Sequence, residues 1–366
     1  MQGRLRLPLF FNKKLTIHLF TESSHLSRIY SRIFQGVFVI KNLILTLFIL
    51  TNVAIASTKI NGAGATFPYP IYSKWFSEYK KIKNDIEFNY QSIGSGGGIK
   101  QIIAQTVNFG ATDAPMTEDE LKQANNNIVH IPTVIGAVTV AYNLPSAPNG
   151  IKLSGDLIAQ IFMGKITKWN DPKILSLNPQ IQLPGQDILV VRRSDGSGTT
   201  AVFTSFLAEE NAEFKNAVGS SKNVKWPVGI GAKGNEGVTA IISQTVGAIG
   251  YTELAYAKSN QLKVASIKNK LGEYTLPDVA TMLKAATNLK PTSNDFRISI
   301  TNSSNKGAYP LSALTWMLIY KDKNATNHEI KNFISWAYSN GGKMAEELHY
   351  SPIPKSLATE VIKSLK

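Results

Sequence analysis

The 366-residue chain has no cysteine. That excludes disulfides, thiolate zinc sites, iron–sulfur clusters, thiol nucleophiles and lipid attachment through sulfur. Charge is sparse as well: 17% of residues are charged, against about 25% in ordinary soluble domains. The 43% hydrophobic content is too high for a disordered chain. No apolar run reaches the ~20 residues of a spanning helix. The three histidines beyond residue 57, His130, His328 and His349, are dispersed and lack H-E-x-x-H spacing. Each reads as a surface or capping residue, so no metal site and no cofactor are expected. A P-loop is missing too, and so is a G-x-S-x-G elbow, because Ile93 and Asp195 stand where its first glycine would be.

The formal charge of +14 is uneven. Seven basic residues and one acid in residues 1–56 leave +8 on the rest, where no Lys/Arg run exceeds two. Scattered solvated lysines fit that pattern, and nucleic acid is not an expected partner. From Leu43 a short apolar run follows Lys41 and ends in Ala54-Ile55-Ala56. This is the construction of a secretory signal peptide cleaved after Ala56. Residues 1–38 are long for the basic region of such a signal, so translation is expected to start near Val37 or Val39. Export without a lipobox cysteine places the mature chain free in the periplasm, with no lipid anchor. The absence of heptads or a self-pairing motif points to a monomer.

Past residue 57, apolar β-branched runs alternate with helical patterns, the mark of an α/β architecture. Strands are expected at Ile86–Gln91, Val134–Tyr142, Ile188–Val191, Val246–Tyr251 and Leu314–Tyr320. Thr117 and Glu120 form a capping box, and Ile330, Phe333, Ile334 and Ala337 make one helix face that should stop at Gly341-Gly342. There is no low-complexity linker, so any two lobes should be joined by crossing strands. The Pro-bearing segments Ile131–Val134 and Tyr309–Leu311 are the candidates.

Three places share one construction, a Gly-rich turn with Ser or Thr where a helix begins: Gly62–Pro68, Gly94–Gly98 and Asp195–Thr200. Pro68 suits a first helical position. Helix N-termini present unpaired N–H groups and a positive dipole end, and glycine lets an anion approach the backbone. Any one alone is an ordinary N-cap. Three together suggest a shared anion site at strand C-terminal ends. Arg193, just before the third turn, can offer a planar guanidinium to an oxyanion. Asp113 follows Phe109-Gly110-Ala111-Thr112 and precedes a helix that already has its cap, so capping does not explain it. A carboxylate only accepts hydrogen bonds, so in an anion pocket it suits a ligand that keeps a proton. Phosphate does; sulfate does not.

Gly62–Pro68, Tyr90–Gly98, Phe109–Pro115 and Val190–Thr199, in this order, resemble the ligand-binding segments of the phosphate ABC transporter substrate-binding proteins, the PstS family. The likeness runs from about Ile60 to the C-terminus, through Ile161–Pro172 and Gly231–Val238. It implies a two-lobed periplasmic-binding-protein-like α/β fold of type II. Each lobe would be a mostly parallel sheet flanked by helices, with the ligand cleft between lobes. Residues 57–133 and 310–366 would form lobe I, and 134–309 lobe II.

Carried over by position, phosphate would be held by Thr66, the Phe67 backbone, Ser95, Ser197, Gly198 and Thr199. Arg193 would supply charge, held by Asp195, and Asp113 would take the phosphate proton. The implied function is non-catalytic, high-affinity phosphate binding and delivery to a membrane ABC permease. Another tetrahedral oxyanion, or phosphoester hydrolysis, is the alternative; hydrolysis needs a nucleophile with a base or a two-metal site, and neither stands near these turns. Ser95-Gly96-Gly97-Gly98 departs from the family's usual Ser-Ser-Gly-Gly or Ser-Ala-Gly-Gly, a loosening expected to lower affinity slightly. Gly229-Ile230-Gly231-Ala232-Lys233-Gly234 is a literal G-x-G-x-x-G, set aside because Lys225-Trp226-Pro227 precedes it where a strand should be.

Overall fold

The computed structural model describes residues 28, 30–38, 40–41, 57–289, 296–322 and 324–365. Residues 1–56 form a unit of their own. Within it, residues 30–38 form helix α1, with Tyr30, Phe34 and Phe38 exposed. The expected signal peptide and its cleavage point lie outside the described residues. No helix among those described is long and apolar enough to cross a membrane.

Residues 57–366 form a second compact unit. Its first part runs β1 (Thr58–Gly64), α2 (Tyr69–Ile82), β2 (Ile86–Ser92), α3 (Ser95–Ile103), β3 (Phe109–Thr112), α4 (Glu118–Gln123) and β4 (Ile128–Tyr142). Next come β5 (Lys152–Leu153), α5 (Gly155–Phe162), α6 (Pro172–Leu177), β6 (Leu189–Arg193), α7 (Gly198–Glu210) and α8 (Ala212–Ala217). They are followed by β7 (Ile230–Ala232), α9 (Gly234–Gln244), β8 (Ala248–Glu253), α10 (Leu254–Ser259), β9 (Lys263–Val264), β10 (Ser266–Lys268), β11 (Tyr274–Thr275) and α11 (Val279–Ala285). The chain closes with β12 (Ser312–Tyr320), α12 (Ala325–Asn340), α13 (Gly342–Glu347), β13 (Ser351–Pro352) and α14 (Lys355–Leu365).

The main sheet has the order β2-β1-β3-β12-β4-β8-β6-β7, with β13 and β9 also pairing with β4. A small sheet orders β11-β10-β5. β1 is parallel to β2 and β3, and β6 is parallel to β7 and β8. Between these two parallel runs, β4 is antiparallel to β12 along Ile128–Ala137 and to β8 along Val138–Tyr142. One 15-residue strand therefore serves both runs. Its register against β12 slips where Thr315 faces Val134 and Trp316 faces Pro132. Pro132 has no N–H for the ladder, and a bulge at that point is the expected response.

Segments predicted as strands overlap β2, β4, β6, β8 and β12, with Ile188 and Val246-Gly247 lying just before β6 and β8. β1 is the strand the sequence hides, because Gly62 and Gly64 read as a turn. A Cβ on Gly62 would lie 2.1 Å from the Phe109 ring, and one on Gly64 2.1 Å from the Ala111 carbonyl. These glycines let β1 pack on β3 instead of admitting an anion. The capping box forms as expected: Thr117 Oγ1 accepts from Glu120 N–H and Glu120 Oε2 from Thr117 N–H. Pro68 sits at the N-cap of α2, one place before the position expected for it. The predicted face of α12 is buried. However, the helix breaks without a left-handed cap, since Gly341 has φ −83° and leads straight into α13. Gly341 is there for space, because a Cβ would meet Trp75 Nε1 at 2.5 Å.

One apolar core runs under most of the sheet, from Phe67, Tyr72 and Trp75 through Phe162, Phe203 and Tyr251 to Trp316 and Phe333. Phe88 stacks on Phe76 at 4.9 Å between ring centroids and leans on Phe333 at 4.8 Å. Trp75, Trp169 and Trp316 are buried and Trp226 and Trp336 pack against the core, so all five tryptophans of the chain serve packing.

Candidate functional site

Each predicted site residue follows the C-terminal end of a strand or opens the next helix. Thr66 and Phe67 follow β1, Ser95 opens α3 after β2, Asp113 follows β3, and Arg193 ends β6. Ser197 is the N-cap of α7, with Gly198 and Thr199 in its first turn. Thr66, Phe67, Ser95, Asp113, Arg193, Ser197 and Thr199 are all at most 3% exposed. This is the crevice position that open α/β sheets offer to ligands.

The structure brings these segments together through Gly198. A Cβ there would lie 2.6 Å from Ser95 Oγ and 2.7 Å from Asp113 Oδ2. Ser95 Oγ donates to Asp113 Oδ2 at 3.4 Å and accepts from the Asp113 N–H at 3.3 Å. Gly96 N–H donates to Gly196 O at 2.8 Å, and a Cβ on Gly96 would crowd Gly196 Cα at 3.1 Å. At Gly96, where the sequence departs from the family's usual residue, the second and third turns approach closely backbone to backbone. Ser197 Oγ accepts the Thr200 N–H at 3.0 Å, a regular cap that leaves its hydroxyl proton free to donate.

Arg193 is the only cation among these residues. Its Nε and Nη2 donate to Asp195 at 2.8 and 2.5 Å, and its Nη1 donates to Thr199 Oγ1 at 3.3 Å. These bonds use three of the five guanidinium protons. Asp195 also accepts from the Gly234 N–H at 3.1 Å. Burial pushes the Asp195 carboxyl up, but hydrogen bonds from Arg193 and its charge outweigh this and hold it below the ordinary carboxylate range. The pair therefore stays ionised and fixes the guanidinium plane.

Asp113 behaves in the opposite way. Burial pushes its carboxyl up to about 7, against pulls downward from the Thr315 hydroxyl, the Arg193 charge and Ser95. It is a carboxyl poised to hold or release a proton near neutrality, 3% exposed beside a ring of donors.

Three participants escaped the sequence reading. Thr315 donates to Asp113 Oδ1 at 2.9 Å. Asn235 contacts both Thr66 and Thr199. Tyr251 OH accepts the Arg193 N–H at 3.1 Å and bonds Thr200 Oγ1 at 2.7 Å. The available signal was a lone polar residue inside an apolar strand, as in Leu314-Thr315-Trp316.

The G-x-G-x-x-G stretch is not preceded by a strand: Lys225-Trp226-Pro227 is irregular, and the short strand Ile230–Ala232, parallel to β6, lies inside the motif and leads into α9. Gly229, at φ +91°, clears Val190 O, and Gly234 N–H is taken by Asp195, so both are committed inside the protein. His130 is neither surface nor cap; it is buried in β4, and its Nε2 accepts the Met116 N–H at 3.0 Å. Among the described residues no three acidic or histidine side chains are grouped to hold a metal.

A family model described as a PBP superfamily domain matches residues 51–341. The phosphate-binding protein PstS of Haemophilus influenzae is 45% identical over 309 residues, covering 83% of this chain and 92% of that protein. Among solved structures, a high-affinity periplasmic phosphate-binding protein bound with phosphate at pH 8.5 superposes with TM-score 0.65 at 22% identity, over 83% of this chain and 93% of that one. An ABC-type phosphate transport receptor from Vibrio cholerae does so with TM-score 0.53 at 19% identity, over 81% and 100%. The architecture is thus the two-lobed α/β fold of the periplasmic binding proteins. With this similarity spanning both parallel runs and all four site segments, the chain belongs to the PstS family of phosphate-binding proteins.

Proposed function

We propose that this protein binds inorganic phosphate in the cradle of Thr66, Phe67, Ser95, Asp113, Arg193, Ser197, Gly198 and Thr199 and delivers it to an ABC permease for import. The observation that carries this reading is the pairing of one buried Arg193, held in an ion pair by the partly exposed Asp195, with one buried carboxyl, Asp113, inside the same ring of donors. Neutral hydroxyls and first-turn amides of α3 and α7 do most of the holding, and Arg193 balances ligand charge. Asp113 accepts the proton that phosphate retains and repels a fully deprotonated oxyanion.

Residues 57–133 and 310–366 form one lobe and 134–309 the other, with β4 and the approach to β12 as the two crossings. Support comes from β4 itself, which pairs with β12 before Val138 and with β8 after it. The contacts between Gly96 and Gly196 and between Thr66 and Asn235 then join opposite lobes, as a closed state requires. The protein acts as a non-catalytic, monomeric carrier, exported to the periplasm after cleavage behind Ala56 and free of a lipid anchor.

Calorimetric titration of the purified protein with phosphate and with sulfate tests this reading. One-to-one binding of phosphate with sulfate inert is the expected result. Equal or preferential binding of sulfate would sink the phosphate assignment, and turnover of a generic phosphomonoester would revive the hydrolase alternative.

A further inference from the structure

Asn235 lies inside the proposed cradle yet has no part in the ligand contacts assigned above. It is fully buried at the start of α9. Its backbone N–H and its Nδ2 both donate to Thr66 Oγ1, at 3.1 and 2.7 Å. The same Nδ2 lies 3.3 Å from Thr199 Oγ1, which also receives Arg193 Nη1 at 3.3 Å. At the other end of the amide, Oδ1 accepts from the Glu253 N–H at 3.1 Å and from Thr252 Oγ1 at 3.3 Å. A backbone N–H can only donate, so it pins the oxygen end of the amide toward Glu253 and the nitrogen end toward the two threonines.

A threonine hydroxyl has one proton and two lone pairs. On Thr66 both lone pairs face N–H groups of Asn235. On Thr199 they face Arg193 and Asn235. In each case the hydroxyl proton is left to be given away, and neither threonine can serve the ligand as an acceptor. We propose that Asn235 is a positioning residue that sets Thr66 and Thr199 as obligate donors to the anion. On the phosphate reading, on which this rests, the consequence is a cradle with uniform polarity. These hydroxyls present protons only, and Asp113 remains the acceptor that reads the ligand's own proton. Thr66 and Asn235 are 169 residues apart, and because Asn235 at the start of α9 also reaches Thr199, these bonds tie the first turn to the third through α9.

The test is a double-mutant cycle read by calorimetric phosphate binding to the purified protein, with far-UV circular dichroism as the folding check. Asn235→Ala should weaken phosphate about tenfold or more. In a Thr66→Val, Thr199→Val background the same substitution should cost less than about twofold, because the hydroxyls it acts through are gone. An equal penalty in both backgrounds would show a merely structural role and overturn the proposal. Asn235→Asp keeps the shape and carries the comparison should Asn235→Ala fail to fold. Its carboxylate would accept the threonine protons, and a loss of about a hundredfold is expected, whereas affinity equal to the wild type would overturn the proposal. Failure of the wild type itself to bind phosphate would remove the phosphate reading and this inference with it, an outcome separate from the other two.

Discussion

Thr315 on β12 donates its hydroxyl to Oδ1 of Asp113 at 2.9 Å, across 202 residues of sequence. It sits where the register of β12 against β4 shifts opposite Pro132. The bond favours the ionised carboxylate, opposing the burial that pushes Asp113 toward neutrality. Replacing Thr315 by Val should therefore raise the Asp113 carboxyl further and weaken phosphate binding at pH 8 about tenfold, the loss of one charge-assisted hydrogen bond. Titrations at pH 6 and pH 8 check this, and unchanged affinity at pH 8 would separate Thr315 from the site.

Asp113→Asn removes the charge that excludes a fully deprotonated oxyanion while keeping the side-chain shape. Sulfate, expected to be inert toward the wild type, should then bind, and the preference for phosphate should fall by about a hundredfold or more, in keeping with the several kcal/mol cost of a desolvated like charge. Competition of sulfate against phosphate measures it. Continued exclusion of sulfate would place specificity elsewhere in the cradle.

The raised Asp113 carboxyl also makes a stability prediction for the ligand-free protein. Its unfolded-chain value of 3.8 rises to about 7 in the folded state. Below about pH 4 both states hold the proton. Between about pH 4 and 7 the unfolded chain releases it while the folded one keeps it, so stability falls as pH rises through that window. The fully developed effect is roughly 4 kcal/mol. Thermal melting in phosphate-free buffer should show Tm decreasing across this range, and Asp113→Asn should flatten the decrease. Glu253, also pushed up by burial and to a lesser degree by the Asp113 charge, acts in the same direction, so the difference between the two proteins reports Asp113 together with its influence on Glu253. Parallel pH profiles for both would refute the assignment.

Gly198 is wedged between Ser95 and Asp113, with no room for a methyl group. Gly198→Ala should force the second and third turns apart, costing about 1–3 kcal/mol of stability through overpacking. Phosphate affinity should fall more steeply than Tm, because the displaced groups, Ser95 and Asp113, are proposed ligand contacts. A variant with lowered Tm but intact affinity would show that the contact is packing alone.

Lys222 Nζ reaches Glu120 Oε2 at 2.8 Å and the Pro115 carbonyl at 3.4 Å. Under the proposed lobe division this bridge spans the cleft mouth. It is partly exposed, at 13% and 25% for the two side chains, so its worth is about 0.5–1 kcal/mol. Lys222→Ala should speed phosphate release about two- to fivefold, with the difference shrinking at high salt. Stopped-flow release kinetics at two ionic strengths provide the measurement.

How much could be seen in advance follows from the range of each interaction. The capping box at Thr117 and Glu120, the apolar face of α12 and the strand cores of β4, β8 and β12 are local patterns, and each was legible. β1 was not, because Gly62 and Gly64 answer to Phe109 and Ala111 on a neighbouring strand, and no local pattern records that demand. For the same reason His130 looked like a surface residue until Met116 was placed beside it, and Gly341, which ends α12 as expected, owes its missing side chain to Trp75.

The site divides in the same way. The order of residues alone determined an α/β chain without cysteine chemistry, three donor-bearing turns, one arginine and one unexplained aspartate, because residue type and spacing carry donor, acceptor and helix-start character locally. Tertiary structure decided which of these meet. It also raised the Asp113 carboxyl, paired Arg193 with Asp195, and recruited Thr315 and Asn235 from strands and helices far along the chain. Burial and hydrogen-bond partnership are properties of packing, and only packing could give a buried carboxyl and two threonines their directions.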